Sequence, residues 1–159
     1  MRRRAAEAER LCRYRDNMNE GPFLTEFHED SKRQAVFDDD GTCAWLYLYE
    51  HDSEDIAADA FVYNRIPAPS IKQAEAVLPN QPPAPARYAS DTALCASPLD
   101  HEWTFLWSKN GQSVALCKDN IPVAFIRFAK KPGYSKNLKK KGPWGNIWSN
   151  KIFNKTFKA

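Results

Sequence analysis

The sequence predicts an α+β fold that is mainly β: a single antiparallel sheet with a C-terminal meander, plus short helices at the N-terminus and in a proline-rich middle. Three observations predict it. Short apolar runs rich in aromatic and β-branched residues recur along the chain, at strand length and not at helix length. Turn chemistry separates them, most clearly at Asn110-Gly111 and Asp119-Asn120. The 159 residues, 43% apolar and 13% aromatic, are enough for one hydrophobic core.

Residues 5–16 are dominated by Ala, Glu, Arg and Leu, good helix formers with only a thin apolar stripe. A solvated helix or tail over 1–20 is expected. Met1-Arg2-Arg3-Arg4 has the charge of a signal-peptide n-region, but charged residues follow where an apolar stretch would be needed. A cytoplasmic location is the expectation.

Residues 22–27 read as a first strand and 34–37 as a second. Asp38-Asp39-Asp40-Gly41 then supplies an Asp-Gly hairpin signal. In Cys43-Ala44-Trp45-Leu46-Tyr47-Leu48-Tyr49 aliphatic and aromatic side chains alternate, so one face of that strand is aliphatic and the other aromatic. Residues 51–55 are a charged turn, and 56–66 hold a further strand around Ala60-Phe61-Val62-Tyr63.

From residue 67 to 85 prolines crowd the chain. Within them Ser70-Ile71-Lys72-Gln73 matches a capping box. Ile71, Ala74, Val77 and Leu78 are spaced for one face of a short helix that Pro79 would stop. Residues 80–86 suit an extended polyproline-like segment, and 89–100 a loop. Residues 103–128 are predicted to form three consecutive antiparallel strands, with the Asn110-Gly111 turn of type I′. Beyond them Trp144 and Trp148 are too apolar to leave in water and are expected to fold back on the sheet. The organisation expected is an N-terminal helix or tail (1–20), a β-rich domain (21–150) and a basic C-terminal tail (151–159).

The net charge of +3 conceals an asymmetry. Residues 127–159 carry ten Lys and Arg and no acid, whereas 17–126 carry seven basic and seventeen acidic residues, a balance of −10. An acidic body between basic ends suits a basic protein partner. The acids expected to meet such a partner are Asp38, Asp39, Asp40, Asp52, Glu54 and Asp55, with His51. The basic third offers an alternative. Lys130, Lys131, Lys136, Lys139, Lys140 and Lys141 alternate with Tyr134 and Trp144, the composition of a nucleic-acid groove. Against it, these aromatics can equally close the core and leave the lysines solvated.

Catalytic and metal signatures are thin. Asp38-Asp39-Asp40 lacks the spacing of an EF-hand loop. His28, His51 and His101 are not at zinc-ligand spacing. None of the four cysteines forms a C-x-x-C pair, and Cys43 and Cys117 read as buried thiols. There is no G-x-S-x-G and no phosphate-binding glycine loop. No enzyme activity, cofactor or metal is expected, although a hydrolase assembled from distant Ser, His and Asp residues stays a third alternative. No membrane segment is expected, because the longest apolar runs are too short to span a bilayer.

The run Trp107-Ser108-Lys109-Asn110-Gly111-Gln112-Ser113-Val114-Ala115-Leu116, followed by Ala124-Phe125-Ile126-Arg127-Phe128, Gly133-Tyr134-Ser135-Lys136 and a closing Trp, resembles a small bacterial domain family of unknown function. Val36-Phe37-Asp38-Asp39-Asp40-Gly41 and Ala44-Trp45-Leu46-Tyr47 resemble its first hairpin. Where that family tends to carry an acid in the last meander strand, this chain has Arg127. Small β-rich bacterial domains of this kind resemble immunity proteins. The resemblance therefore implies a bacterial immunity protein that binds and neutralises a secreted toxin through protein–protein contact.

Overall fold

The computed structural model describes residues 21–76 and 81–158. The helix expected over 1–20 lies outside them, as do Val77, Leu78 and Pro79. Alternating apolar residues and tight turns give β1 (Phe23–His28), β2 (Arg33–Asp39), β3 (Cys43–Tyr49) and β4 (Ile56–Asn64), joined as one antiparallel sheet in sequence order. The predicted helix follows as α1 (Ile71–Glu75), and its capping box is intact: Ser70 Oγ accepts from the Gln73 N–H, and Gln73 Oε1 from the Ser70 N–H.

A second sheet contains β5 (Trp103–Trp107), β6 (Val114–Lys118), β7 (Ile121–Arg127), β8 (Lys130–Ser135) and β9 (Asn146–Ile147). The predicted meander is its β5–β7 portion, antiparallel throughout. β9 runs parallel to β8. There are thus two sheets, not one. The reason lies in β3. Ala44, Leu46 and Leu48 pack with Val114, Leu116, Ala124 and Ile126 of the second sheet, while Cys43 and Trp45 face the other way into a separate cluster. Strands apolar on both faces need cover on both, and a facing sheet supplies one of the covers.

Gly133 sets how closely the sheets meet. A Cβ there would lie 2.5 Å from both the Ala60 Cβ and the Asp59 carbonyl oxygen, so only glycine lets β8 cross β4 at this distance. Asn137 ties the same seam by donating to the Val62 carbonyl at 2.7 Å. At the opposite edge Trp107 Nε1 donates to Glu26 at 2.9 Å, joining β5 to β1.

Two further clusters cover the outer faces. The proline-rich segment lies over β3 and β4, pinned by buried Asn64, whose amide exchanges two 2.9 Å hydrogen bonds with the Ala84 backbone. Trp144 joins this layer, as expected, with its ring against Tyr88 and its N–H directed to the Pro82 carbonyl. Over the second sheet, Trp148 and α2 (Asn150–Phe157) cover Phe125. Residues 151–157 are therefore not a tail. Ser149 caps the helix at Ile152, and Phe153 is buried on the sheet.

Of the two predicted meander turns, one differs from expectation and one has the expected geometry. Asn110-Gly111 lies in a six-residue connection between Trp107 and Val114, and of the two only Gly111 has positive φ (+70°), so the turn is not type I′. Asp119 and Asn120 both do (+50° and +67°), and they form the two-residue turn between Lys118 and Ile121. A second such pair, Phe128 and Ala129 (both +54°), joins Arg127 to Lys130.

Candidate functional site

The acids expected to act together are held at opposite ends of the first sheet. Asp38, Asp39 and Asp40 sit at the β2–β3 turn and residues 51–55 at the β3–β4 turn. The length of β3 separates them, about 20 Å at 3.3 Å per residue. Only the second group is a surface cluster.

Asp39 is 1% exposed. It accepts a 2.5 Å hydrogen bond from the Tyr63 hydroxyl, pairs with Arg65 and accepts from the Gly41 N–H. Asp40 accepts from the N–H groups of Thr42 and Cys43 and so closes the turn. An acidic run read as a binding surface is in this part an internal scaffold. The sequence signal was Arg65, an isolated base at the end of β4 that needs a counter-charge.

At the other end His51, Asp52, Glu54 and Asp55 are all exposed. Two contacts, one from a side chain and one from the backbone, tie this turn to the β1–β2 turn. His51 Nδ1 lies 2.7 Å from the Ser31 carbonyl oxygen, and the Asp52 N–H donates to the Lys32 carbonyl at 2.8 Å. Arg33 ties this end to the 108–113 connection through Gln112 and to Glu50 at 3.6 Å. Gly111 packs here as well: a Cβ would meet the His28 ring at 2.3 Å. The Phe128 N–H donates to Ser113 Oγ, which brings the β7–β8 tip to the same end. Phe128 is 46% exposed, with Arg127 stacked 4.7 Å from its ring centroid. Sequence reasoning missed this tip, because Phe-Ala carries no turn signal.

The lysines of the alternative site are exposed, but its aromatics are spent internally. Trp144 is 8% exposed within the outer layer, and Tyr134 stacks on Phe125 at 4.5 Å. Lys136 lies over Trp148. Lys130, Lys131, Lys139, Lys140 and Lys141 are left without an aromatic platform for bases.

One pairing was not foreseen. His101 Nδ1 lies 2.7 Å from Asp119 Oδ2, and the Glu102 N–H donates to the same carboxylate, which holds Asp119 below its ordinary titration range. His101 lines an open groove of about 560 Å3 with Phe23, Leu24, Leu99 and Trp103. Those neighbours provide no nucleophile for it to activate. The buried thiols of Cys43, Cys95 and Cys117 are pushed up by desolvation, away from the reactive thiolate. Among the described residues no group of three or more His, Cys, Asp or Glu side chains is placed to hold a metal. Nor is any helix among them long and apolar enough to cross a membrane.

No family model, curated protein or solved structure matches the chain. The resemblance to a small bacterial domain family therefore stands on the quoted residues alone.

Proposed function

We propose that the protein is a non-catalytic binding module of the immunity type, which neutralises a basic protein toxin in the bacterial cytoplasm. The observation that supports this reading is the end of the sandwich formed by residues 51–55. It presents three exposed carboxylates on a turn held by the His51 side chain and the Asp52 N–H, with an exposed aromatic ring, Phe128, at the same end. Preorganised charge steers a basic partner and costs little ordering on binding, while an exposed ring gives apolar area that charge alone lacks.

The test is survival of cells that co-express the protein with basic secreted toxins, beginning with any whose gene adjoins its own. Changing Asp52, Glu54 and Asp55 together to Lys should abolish protection with the circular dichroism spectrum unchanged. Changing Lys139, Lys140 and Lys141 to Gln should leave protection intact. If the lysine variant fails and the acidic one protects, the basic face is the functional one. Nucleic-acid affinity falling with salt at a log–log slope of about −0.7 to −0.9 per phosphate contact would then identify the partner.

A further inference from the structure

Between the two sheets, at the end away from residues 51–55, lies a cleft of about 200 Å3. It is lined by Val62 and Tyr63 of β4, Thr92, Cys95, Trp103, Lys118, Val123, Lys136 and Asn137. Val62, Tyr63, Cys95 and Trp103 are packed into the inter-sheet core and Val123 lies against it, so these side chains give the cleft a fixed, mostly apolar floor. Most of its polar groups are already committed. The Asn137 amide donates to the Val62 carbonyl and accepts from Thr92 Oγ1, and the Tyr63 hydroxyl donates to Asp39. The Asp39 charge is in turn met by Arg65.

Lys118 is different. It is the cross-strand partner of Trp103, whose ring belongs to the inter-sheet core, so its side chain leaves the strand on the inner face. It is half-buried, and none of the ion pairs among the described residues includes it. The neighbouring carboxylate, Asp119, makes its hydrogen bonds to the Glu102 N–H and to His101, and the Lys118 charge acts on it only through space, as the weakest of these influences. Lys136 also lines the cleft, but its ammonium lies 4.6 Å from the Trp148 ring centroid, within the cluster on the outer face. Lys118 therefore carries the positive charge of the cleft. Its field acts on the Cys95 thiol in the wall, against the desolvation that dominates there.

A cleft with apolar walls and one convergent cation selects a small anion that has an apolar body. About 200 Å3 holds about seven water-sized groups at about 30 Å3 each. We propose that this cleft binds a small monocarboxylate, with its carboxylate on Lys118 and its apolar body against Val62, Trp103 and Val123. This site is separate from the acidic end and does not depend on the toxin-binding reading.

Calorimetric titration of the full chain with benzoate at low salt tests it, with benzyl alcohol as the neutral probe of similar shape. Expected are saturable binding of benzoate at or below about 1 mM, binding of benzyl alcohol at least tenfold weaker, a comparable loss for benzoate in Lys118→Met, and no change in Lys139→Met. Absence of benzoate binding up to about 10 mM, or wild-type affinity in Lys118→Met, overturns the proposal. Should Lys118→Met fail to fold, chemical-shift mapping on the wild-type chain decides. Benzoate-induced shifts at the Trp103 indole and the Val62 and Val123 methyls uphold the site, whereas shifts confined to Lys139, Lys140 and Lys141 overturn it.

Discussion

One guanidinium nitrogen of Arg65 lies 3.1 and 3.0 Å from the two carboxylate oxygens of Asp39, and the Asp39 side chain is fully buried. The pair joins the β2–β3 turn to the end of β4, with Tyr63 and Gly41 completing the donors to Asp39. Removing Arg65 leaves Asp39 as a buried carboxylate without its counter-charge, which is costlier than never having had the pair. Arg65→Met should destabilise the protein by about 3 kcal/mol, read as a drop in the urea midpoint. A loss within about 0.5 kcal/mol, the range of ordinary surface substitutions, would mean that the pair is not the anchor of this turn.

Gly133→Ala should cost about 1–3 kcal/mol through overpacking, because the new Cβ meets Ala60 and the Asp59 carbonyl at 2.5 Å. Ala60→Gly in the same chain removes one of those contacts and leaves the other. The double variant should thus recover only part of the loss, and a thermodynamic cycle measures the coupling. Strict additivity of the two changes would show that β8 does not cross β4 at Gly133.

Asp59 makes stability depend on pH. Burial holds its carboxyl above the ordinary 3.8, with Lys131 and the Gln81 amide acting in the opposite direction. The folded state thus binds this proton more tightly than the unfolded state. The associated stability is fully present below pH 3.8 and is lost as pH rises through the raised folded value. Asp119, held low, has the opposite sign and acts only as pH falls below its ordinary value. Asp59→Asn should flatten the decline above pH 3.8 and be at least as stable as wild type at pH 7. Urea midpoints across that range check this, and a steeper decline in the variant would refute it.

The strands were legible wherever local pattern and burial agree. β3 reads directly because its aliphatic and aromatic residues alternate and each set meets its own layer. The division into two sheets was not legible. The pattern of β3 says that both faces are covered, and the covering of its aliphatic face by β6 and β7 is a long-range fact. β8 was hidden by its composition, since Lys-Lys-Pro-Gly reads as a turn. Pro132 is tolerated because β9 pairs only with Tyr134 and Ser135, leaving the Pro132 edge free of a ladder. The candidate site was half legible. Exposure of residues 51–55 follows from a charged turn, but burial of Asp39 depends on Arg65 and Tyr63 arriving from another strand.

The C-terminal helix is a second place where packing outweighs local composition. Residues 151–159 hold three lysines and read as solvated, yet Phe153 is 6% exposed and its ring lies 5.7 Å from that of Phe125. Phe153→Ala should cost about 3 kcal/mol. Deleting residues 150–159 should cost at least as much and expose the Phe125 face. Limited proteolysis and thermal melts report on both. A truncated chain with wild-type melting behaviour would return this segment to the status of a tail.

Phe128 and Ala129 occupy a two-residue turn at φ +54° each, where L residues with a Cβ are disfavoured by about 1–2 kcal/mol per residue. Asn-Gly is the sequence such a turn prefers. Replacing both, Phe128→Asn with Ala129→Gly, relieves the backbone at two positions. It forfeits one cation–π contact with Arg127, worth about 0.5–1 kcal/mol at an exposed site, and the buried half of the Phe128 ring. The hydrogen bond from the residue 128 N–H to Ser113 Oγ is a main-chain donor and survives the change. The balance favours the variant by about 1 kcal/mol, visible as a higher urea midpoint. Function should move the other way. If Phe128 is the apolar contact of the acidic end, the stabilised variant should protect cells from the toxin less well than wild type. A turn that serves only to join β7 and β8 would gain stability and lose nothing, and wild-type protection by the stabilised variant would remove Phe128 from the proposed surface.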